Sequence, residues 1–241
     1  MIIFGEPGTQ KDMLAFLIHF QRKKQRGFKG QLFFVDSSTV SSFGVRVFGR
    51  EKVKGLLEVA DEGTLIFNNV HRLNKKLLPA VVQLVTNGTY WSKSSKEMKK
   101  SNLKVVLIAE DQFKELEMIS KEAVRIKVPA LRVRRDDIES IVKYQLRILS
   151  RAEGKQVPEL EAQALKRLQA YDYPNNLQEL FSMIENAWAH RTGSVVTADM
   201  LWTAQSPEKL DTFKARQKQH PFSIFVNFNR FTWFTLFQKE L

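Results

Sequence analysis

The residues with the clearest chemical potential lie near the start of the chain, in the run Gly5-Glu6-Pro7-Gly8-Thr9-Gln10-Lys11-Asp12. A glycine-bearing loop that follows a buried strand and opens a helix directs backbone N–H groups at one point, which is how many proteins bind phosphate. Gly5 and Lys11 have the spacing of the pattern G-x-x-x-x-G-K-[ST], whereas Gln10 replaces the second glycine and Asp12 the hydroxyl residue. The run predicts a nucleotide-binding loop, and a plain strand-turn-helix corner is the alternative.

A second informative run, Thr64-Leu65-Ile66-Phe67-Asn68-Asn69, ends a predicted strand with two amides. In nucleotide hydrolases with a strand-loop-helix plan, an aspartate at this place organises Mg²⁺ and a neighbouring glutamate activates water. Asparagine keeps the size of the carboxylate and can hydrogen-bond, but it has no negative charge for a divalent ion and is no useful base. We therefore expect the geometry of such a site to persist here without its chemistry.

The elements that must position these residues are short apolar strands separated by helical segments. Runs that are apolar throughout are typical of strands buried on both faces of a parallel sheet. Their order predicts an α/β fold, a doubly wound parallel sheet sandwiched by helices, with nucleotide at the carboxyl ends of the strands. Further strands are predicted over 2–4, 32–36, 105–109 and 124–131, and helices over 13–20, 77–85 and 113–123.

After Pro129 the pattern becomes entirely helical. Helices are predicted from Asp136, over 161–170 and 177–189, and from Thr197. A helical segment of this kind usually covers a bound nucleotide. The predicted domains are an α/β core over 1–131, a helical lid subdomain over 132–204 and an aromatic-rich tail over 205–241, and we expect the core to lack an N-terminal segment because Met1 leads directly into the first strand.

The net charge of +12 favours an anionic partner such as nucleotide, nucleic acid or an acidic membrane surface. The lysine-rich stretch from Trp91 to Lys104 predicts an exposed, mobile loop, with nucleic-acid contact as the alternative. The absence of cysteine excludes disulfides and thiolate metal sites, and it is compatible with a reducing compartment. No metal site is predicted, because no metal-ligand spacing is shared by His19, His71, His190 and His220.

Five blocks, taken in order, resemble the AAA+ ATPase domain of bacterial sigma-54-dependent transcriptional activators over about residues 2–202. The resemblance implies an AAA+ P-loop NTPase fold with a C-terminal helical lid subdomain. The blocks are residues 5–12 for GExGTGKE, 48–51 for FGxE, 60–67 for ADGGTLFLDE, 129–138 for PPLRERREDI and 171–180 for YxWPGNVREL.

The resemblance also shows which functional positions of the family differ in this chain. At Gln10 a side chain should crowd the place where backbone approaches phosphate. Where the family has the GAFTGA loop that engages sigma-54, only Val53-Lys54-Gly55 remains, so contact with sigma-54 is not expected. The family's metal aspartate, catalytic glutamate, two arginine fingers and γ-phosphate-sensing lid arginine correspond to Asn68, Asn69, Lys114, Ser120 and Gln178.

These losses predict a domain that does not hydrolyse nucleotide. Removing a positioned base typically costs ~10²–10⁴ in rate, and an arginine finger is worth roughly 10³–10⁵. The predicted function is a regulatory or assembly module that associates with itself or a related AAA+ protomer. Binding of ATP or ADP, without a firm requirement for Mg²⁺, is assigned to Gly5, Glu6, Gly8, Thr9, Gln10, Lys11 and Asp12.

The tail lies outside the resemblance. Its aromatic run over 221–237 is shorter than the ~20 apolar residues of a membrane span and contains Arg230. An interfacial anchor, the start of a membrane region, and a tail packed on the protein or on a partner are all open. An adaptor that attaches to membrane or nucleic acid through the tail and the basic surface is the alternative function, and an active ATP-dependent transcription regulator is the third. We expect a cytoplasmic location, with membrane association as an option.

Overall fold

The computed structural model describes residues 1–26, 30–38, 43–60, 62–110, 123–191 and 193–202. The predicted finger positions Lys114 and Ser120, nearly all of the helix predicted over 113–123, and the tail lie outside these ranges. Contacts group the described residues into two units: residues 1–136 together with 171–180, and residues 137–170 together with those from 181 onward. The sequence predicts a boundary at residue 131, whereas the contacts extend the first unit to 136 and add a later segment.

The first unit is built on a five-stranded sheet in which every neighbouring pair is parallel, in the order β2-β3-β6-β1-β7. This arrangement confirms the predicted α/β fold. The elements are β1 (Ile2–Gly5), α1 (Lys11–Arg26), β2 (Leu32–Asp36), α2 (Phe43–Phe48), α3 (Leu56–Val59), β3 (Thr64–Asn68), α4 (Leu78–Asn87), β4 (Thr89–Ser92), β5 (Glu97–Lys100), β6 (Lys104–Ala109) and β7 (Arg125–Val128).

The strands are apolar throughout because helices cover both faces of the sheet. Ile2 belongs to the same buried cluster as side chains of α2 and α4 on one face, whereas its neighbour Ile3 belongs to a second cluster with Ala15 of α1 on the other. In β3, Leu65 and Phe67 share the first face and Ile66 the second. Successive side chains of a strand point to opposite faces, so two-sided burial needs an unbroken apolar run.

The parallel arrangement brings the carboxyl ends of the strands to one edge of the sheet. The loop after β1 leads to Lys11, and Asp36 at the end of β2 is the register partner of Asn68 at the end of β3. Glu110 follows β6, which lies between β3 and β1. The sequence-predicted nucleotide loop and the two amides therefore occupy the same edge.

The prediction of a mobile loop from Trp91 to Lys104 is wrong, because β4 and β5 form an antiparallel hairpin there. Its inward side chains are anchored: Tyr90 is buried and its Oη donates to Leu57 O at 3.1 Å. The turn is closed by a bond of 2.9 Å from Lys96 N to Ser92 O. The many lysines and serines hid the two-residue alternation that identifies a strand.

The second unit contains most of the predicted helices. Its first helix, α5 (Ile138–Glu153), ends at Gly154, which has a left-handed conformation. The buried faces of the helices in this unit carry residues such as Val142, Leu168 and Ile184. The helix starts near 137, 161 and 197 agree with the sequence prediction. No helix in the described ranges has the length and apolar character needed to cross a membrane. The elements are α5 (Ile138–Glu153), β8 (Glu159–Leu160), α6 (Ala162–Ala170), α7 (Asn176–His190, whose first turn belongs to the first unit), β9 (Val195–Val196) and α8 (Ala198–Trp202).

Candidate nucleotide-binding site

The loop between β1 and α1 is wound around the ammonium group of its own lysine. Lys11 opens α1, and its Nζ donates to Gly5 O at 2.9 Å and to Glu6 O at 2.6 Å. Thr9 is buried, and its hydroxyl donates to Glu6 O at 2.8 Å. Asp12 Oδ1 accepts from Met13 N at 3.0 Å in the first turn of α1. A positive charge and a helix N-terminus therefore share this loop, which is the combination that binds phosphate.

Two glycines of the loop have no room for a side chain. A Cβ on Gly5 would lie 2.6 Å from Val128 O, and a Cβ on Gly8, where φ is +74°, would lie 1.9 Å from Asn175 O. Gln10 has a φ of 61°, a left-handed conformation that glycine adopts without penalty and other residues at about 1–2 kcal/mol. The structure thus places glutamine where the pattern has glycine, in the backbone conformation that glycine favours.

Three residues from outside the loop hold its carbonyl and carboxylate oxygens, and we name Arg132, Asn176 and Gln178 the loop clasp. Asn176 is fully buried, and its Nδ2 donates to Pro7 O at 2.9 Å and to Glu6 Oε2 at 3.3 Å. Its Oδ1 accepts from Leu131 N at 2.8 Å. The backbone N of Gln178 donates to Gly8 O at 3.1 Å. All of these residues belong to the first unit, so the clasp fixes the loop within one body.

Glu6 is the charged centre of the clasp. Both guanidinium NH2 groups of Arg132 donate to its carboxylate, each to a different oxygen. These hydrogen bonds from Arg132, with help from Asn176 and against the cost of burial, lower the pKa of Glu6 to about 2. The Glu6 side chain is therefore committed to Arg132 and Asn176, and only its backbone belongs to the predicted phosphate site.

At the end of β3 one of the two amides, that of Asn69, is held by a neighbouring strand. Asn69 has a φ of 54°, and its Nδ2 lies 3.3 Å from both carboxylate oxygens of Asp36. Asp36 Oδ1 also accepts from Ser38 N at 2.9 Å and from Ser38 Oγ at 2.7 Å. Sequence reasoning missed Asp36 as a site residue, although an acid that ends an apolar strand was a usable signal. The negative charge at this part of the sheet edge is therefore carried by Asp36 of β2, whose carboxylate already accepts hydrogen bonds from Ser38 and Asn69.

A second pair that the sequence did not reveal joins His71 to Glu110. Glu110 N donates to His71 Nδ1 at 3.3 Å, and His71 Nε2 lies 3.2 Å from Glu110 Oε1. Burial lowers the pKa of His71, and the nearby Glu110 carboxylate opposes that shift only in part. The histidine is therefore neutral at pH 7. The Glu110 carboxylate, directly after β6, faces this histidine and also Arg72, whose guanidinium lies 4.0 Å from Glu110 Oε1.

The structure thus brings the predicted loop residues and Gln178 together, and it sets Asn68 and Asn69 at the same edge of the sheet. Gln178 contributes its backbone N–H to this arrangement. Within the described ranges, no group of three or more histidine, aspartate or glutamate side chains is placed to hold a metal ion.

Comparison of the sequence with protein-family profiles gives two matches that divide the chain. The profile of the sigma-54 interaction domain matches residues 1–128, and that of the AAA+ ATPase lid domain matches residues 132–218. The first match covers more than half of the chain. The chain belongs to the sigma-54 interaction domain family. This result confirms the resemblance that the five sequence blocks indicated.

Individual members of the family are distant relatives. The regulatory protein LuxO of Vibrio cholerae is 26% identical over 221 residues, which cover 83% of this chain and 48% of LuxO. The regulatory protein AtoC of Escherichia coli is 23% identical over 221 residues, which cover 83% of this chain and 47% of AtoC. The chain therefore spans about half the length of the curated relatives that it matches.

Solved structures confirm the AAA+ fold of this sigma-54 interaction domain. NtrX from Brucella abortus in complex with ADP aligns with a TM-score of 0.70 at 21% identity, over 90% of this chain and 55% of that chain. NtrX in complex with ATP gives a TM-score of 0.70 at 22% identity, over 88% of this chain and 50% of that chain.

Proposed function

We propose that this chain is a non-hydrolysing AAA+ domain of the sigma-54-activator type, which serves transcription regulation as a regulatory or assembly module. One observation carries the proposal: the loop keeps Lys11 bonded to its carbonyl oxygens, whereas the end of β3 presents amides, one of them tied to Asp36. A domain of this composition is suited to respond to nucleotide as a ligand. The same domain is poorly suited to hydrolyse the nucleotide.

The residues of the loop fit the phosphates of ATP or ADP. The Lys11 ammonium, the backbone of Gly5 to Gln10 and the N-terminus of α1 would hold a diphosphate. The tight surroundings of Gly5 and Gly8 preserve the close backbone path that such a cradle needs. The ADP and ATP complexes of NtrX, a protein of the same fold, support this assignment.

The residues fit Mg²⁺ less well. A magnesium ion that bridges nucleotide phosphates is normally held through one or two carboxylates. Asn68 and Asn69 are neutral, and the Asp36 carboxylate already accepts bonds from Ser38 and Asn69. We therefore infer that nucleotide binding gains little from Mg²⁺.

The same amides leave no base for hydrolysis. An amide cannot take a proton from water, and a positioned base alone contributes roughly 10²–10⁴ in rate. The loss of the metal ligand and the loss of the base affect the same transition state, so the two reductions in rate do not simply multiply. Either loss alone removes useful turnover.

A phosphate-release assay tests the absence of hydrolysis. We expect the full chain with ATP and Mg²⁺ to release phosphate at the same rate as its Lys11→Ala variant and a buffer control. The matched variant isolates loop-dependent turnover from contaminating ATPases. Mg²⁺-dependent release by the unchanged chain that Lys11→Ala abolishes would overturn the proposal.

Assembly with copies of itself or with a related AAA+ protomer is the second part of the proposal. Family membership supports it, since AAA+ activators typically oligomerise. Sedimentation velocity across a concentration series, with and without ADP, measures it directly. We expect the weight-average mass to rise with concentration, whereas a monomer throughout, both alone and mixed with an active relative, contradicts an assembly role.

Contact with sigma-54 is not part of the proposed role. In place of the family's GAFTGA loop the chain has a tight turn, in which Arg50 N donates to Val53 O at 3.0 Å and Val53 N donates to Arg50 O at 2.9 Å. Such a turn offers no extended segment to a partner. Co-sedimentation with purified sigma-54 should show no complex, and a stable complex would show that another surface serves this contact.

A further inference from the structure

The β4–β5 hairpin presents an apolar pair to solvent. Trp91 and Met98 are partners across the two strands, and they are 52% and 48% exposed. Side chains of directly opposed residues lie on the same face and contact each other. A half-exposed tryptophan beside a methionine therefore forms a small flat platform on this face.

The opposite face of the hairpin is firmly anchored, so the exposure of Trp91 does not come from a loose segment. Tyr90 and Ser92 point inward and are buried. Ser92 Oγ donates to Glu58 Oε1 at 3.0 Å, and Ser94 Oγ donates to the same oxygen at 2.7 Å. These bonds hold the platform in a fixed orientation.

Uncompensated positive charge surrounds the platform. Residues 89–104 contain five lysines and one glutamate, a net charge of +4. Lys99 pairs with the buried Glu58 side chain and Lys96 pairs with Glu51. Lys93 and Lys100 are exposed, and neither ammonium group contacts a carboxylate in the part of the chain that the structure describes.

The tight turn that replaces the GAFTGA loop extends this surface. The turn and the hairpin are joined by a bond from Lys93 N to Phe48 O at 3.5 Å and by the pair of Lys96 with Glu51 at 3.1 Å. Val53 is 43% exposed, and Lys52 and Lys54 on either side of it are also exposed. We name the combined set, Trp91, Met98, Lys93, Lys100 and residues 52–54, the hairpin surface.

The chemistry of the hairpin surface matches a single nucleic-acid strand. An exposed tryptophan stacks on any unpaired base, and lysines beside it neutralise the flanking phosphates. A two-stranded ribbon can also enter a duplex major groove. Stacking on Trp91, however, needs a base whose face is free, and a single strand offers such bases whereas a duplex does not. Charge and planarity together favour an anionic polymer with exposed rings over other acidic partners.

We propose that the hairpin surface binds single-stranded nucleic acid, with a base against Trp91 and Met98 and phosphates beside Lys93 and Lys100. The site lies on the hairpin and does not involve the loop around Lys11. This proposal is therefore independent of the proposal that the loop around Lys11 binds nucleotide.

Fluorescence anisotropy with labelled oligothymidine and oligouridine tests the proposal on the full chain. Trp91→Ala should weaken binding roughly 5- to 150-fold, because stacking is worth about 1–3 kcal/mol per base, and Trp91→Phe should retain most of the affinity. Lys93→Glu with Lys100→Glu should also lower the salt dependence, by about 0.7 for each lost phosphate contact in a plot of log affinity against log salt.

The matched control is Lys75→Glu with Lys76→Glu, which makes the same charge change at exposed lysines before α4. We expect it to leave binding within about twofold of the unchanged chain, because these lysines are not part of the hairpin surface and exposed charges outside a site act on it only through screened interactions. Circular dichroism verifies the fold of each variant. Should Trp91→Ala not fold, Met98→Glu places a negative charge on the same platform and is expected to abolish binding.

Three outcomes would overturn the proposal. In the first, Trp91→Ala binds as well as the unchanged chain. In the second, the control pair weakens binding as much as the hairpin pair, so that only overall charge matters. In the third, duplex DNA or phosphatidylserine vesicles bind in a Trp91-dependent way while single strands do not.

Discussion

The loop around Lys11 and the end of β3 lie at the same edge of one sheet, yet they have diverged in opposite ways from the family pattern. The loop keeps its lysine, its two crowded glycines and a clasp of buried hydrogen bonds, and it departs mainly at Gln10. The end of β3 carries two neutral amides, and that of Asn69 is anchored to Asp36. The proposed function rests on this difference: the loop has the shape and charge of a phosphate site, whereas the end of β3 offers neutral amides.

The comparison also shows what holds each region. The loop is fixed by steric fit and by contacts from distant segments, so a change there should disturb packing. At the end of β3 the Asn69 side chain is held by its contact with Asp36, so a change to this side chain should act through hydrogen bonding and charge. The predictions below separate these two kinds of cause.

The largest effect is expected from Gly8→Ala. The new Cβ would lie 1.9 Å from Asn175 O, so the loop or the clasp must shift, and we expect about 2–4 kcal/mol of destabilisation from overpacking and left-handed strain together. Gly154→Ala is the matched control, since Gly154 has a φ of +63° with nothing within 4 Å, and strain alone should cost about 1 kcal/mol. Thermal unfolding followed by circular dichroism measures both. Equal shifts in the two variants would show that the clasp does not constrain the loop.

The next effect concerns Asn69 and Asp36. Asn69→Asp removes the donor to Asp36 and opposes two carboxylates, which should cost roughly 1–3 kcal/mol of unfolding free energy. Adding Asp36→Asn exchanges donor and acceptor, because the new amide at position 36 can donate to the new carboxylate at position 69 while its oxygen still accepts from Ser38. A double-mutant cycle in urea should show that the second change restores most of the loss. A double variant less stable than either single variant would contradict the assigned contact.

The smallest effect concerns the Glu6–Arg132 pair and depends on pH. Because the folded-state pKa of Glu6 is lowered to about 2, the pair stabilises the fold fully above the unfolded value near 4.5 and loses that contribution as the pH falls towards 2. Arg132→Ala should lower the midpoint of urea unfolding at pH 6. Between pH 4.5 and 2.5 the midpoint of this variant should also fall less than that of the unchanged chain. Lys143→Ala, which breaks an exposed ion pair on α5, serves as the control. Parallel pH profiles for Arg132→Ala and the unchanged chain would exclude this role.

Much of the architecture could be predicted because it depends on short-range patterns. The unbroken apolar runs of β1, β3 and β6 identify buried parallel strands, and the ordered blocks around residues 5–12 and 171–180 identify the family. The hairpin was missed because polar residues such as Ser92 and Lys99 share its inward face with Tyr90, whereas Trp91 and Met98 lie on the outward face. Apolar and polar residues therefore do not alternate along either strand.

The contacts of the candidate site were less accessible from sequence. The clasp depends on Asn176 reaching Pro7 across 169 residues, and no local pattern encodes such a pairing. Asp36 became a neighbour of Asn69 only through the register of β2 and β3. The neutral character of Asn68 and Asn69 was visible in the sequence, whereas the contact of the Asn69 amide with Asp36 was not.

Calorimetric titration of the full chain with ATP, in Mg²⁺ and in excess chelator, tests the central claim most directly. If the phosphate loop is retained and no carboxylate is available to hold the ion, the dissociation constants for ATP should agree within about twofold in the two buffers. Lys11→Ala should bind ATP at least about tenfold more weakly, which corresponds to a loss of about 1.4 kcal/mol or more of binding free energy. ATP binding that tightens tenfold or more with Mg²⁺ would contradict the loss of the metal site, and a titration without heat or saturation would contradict the retained cradle.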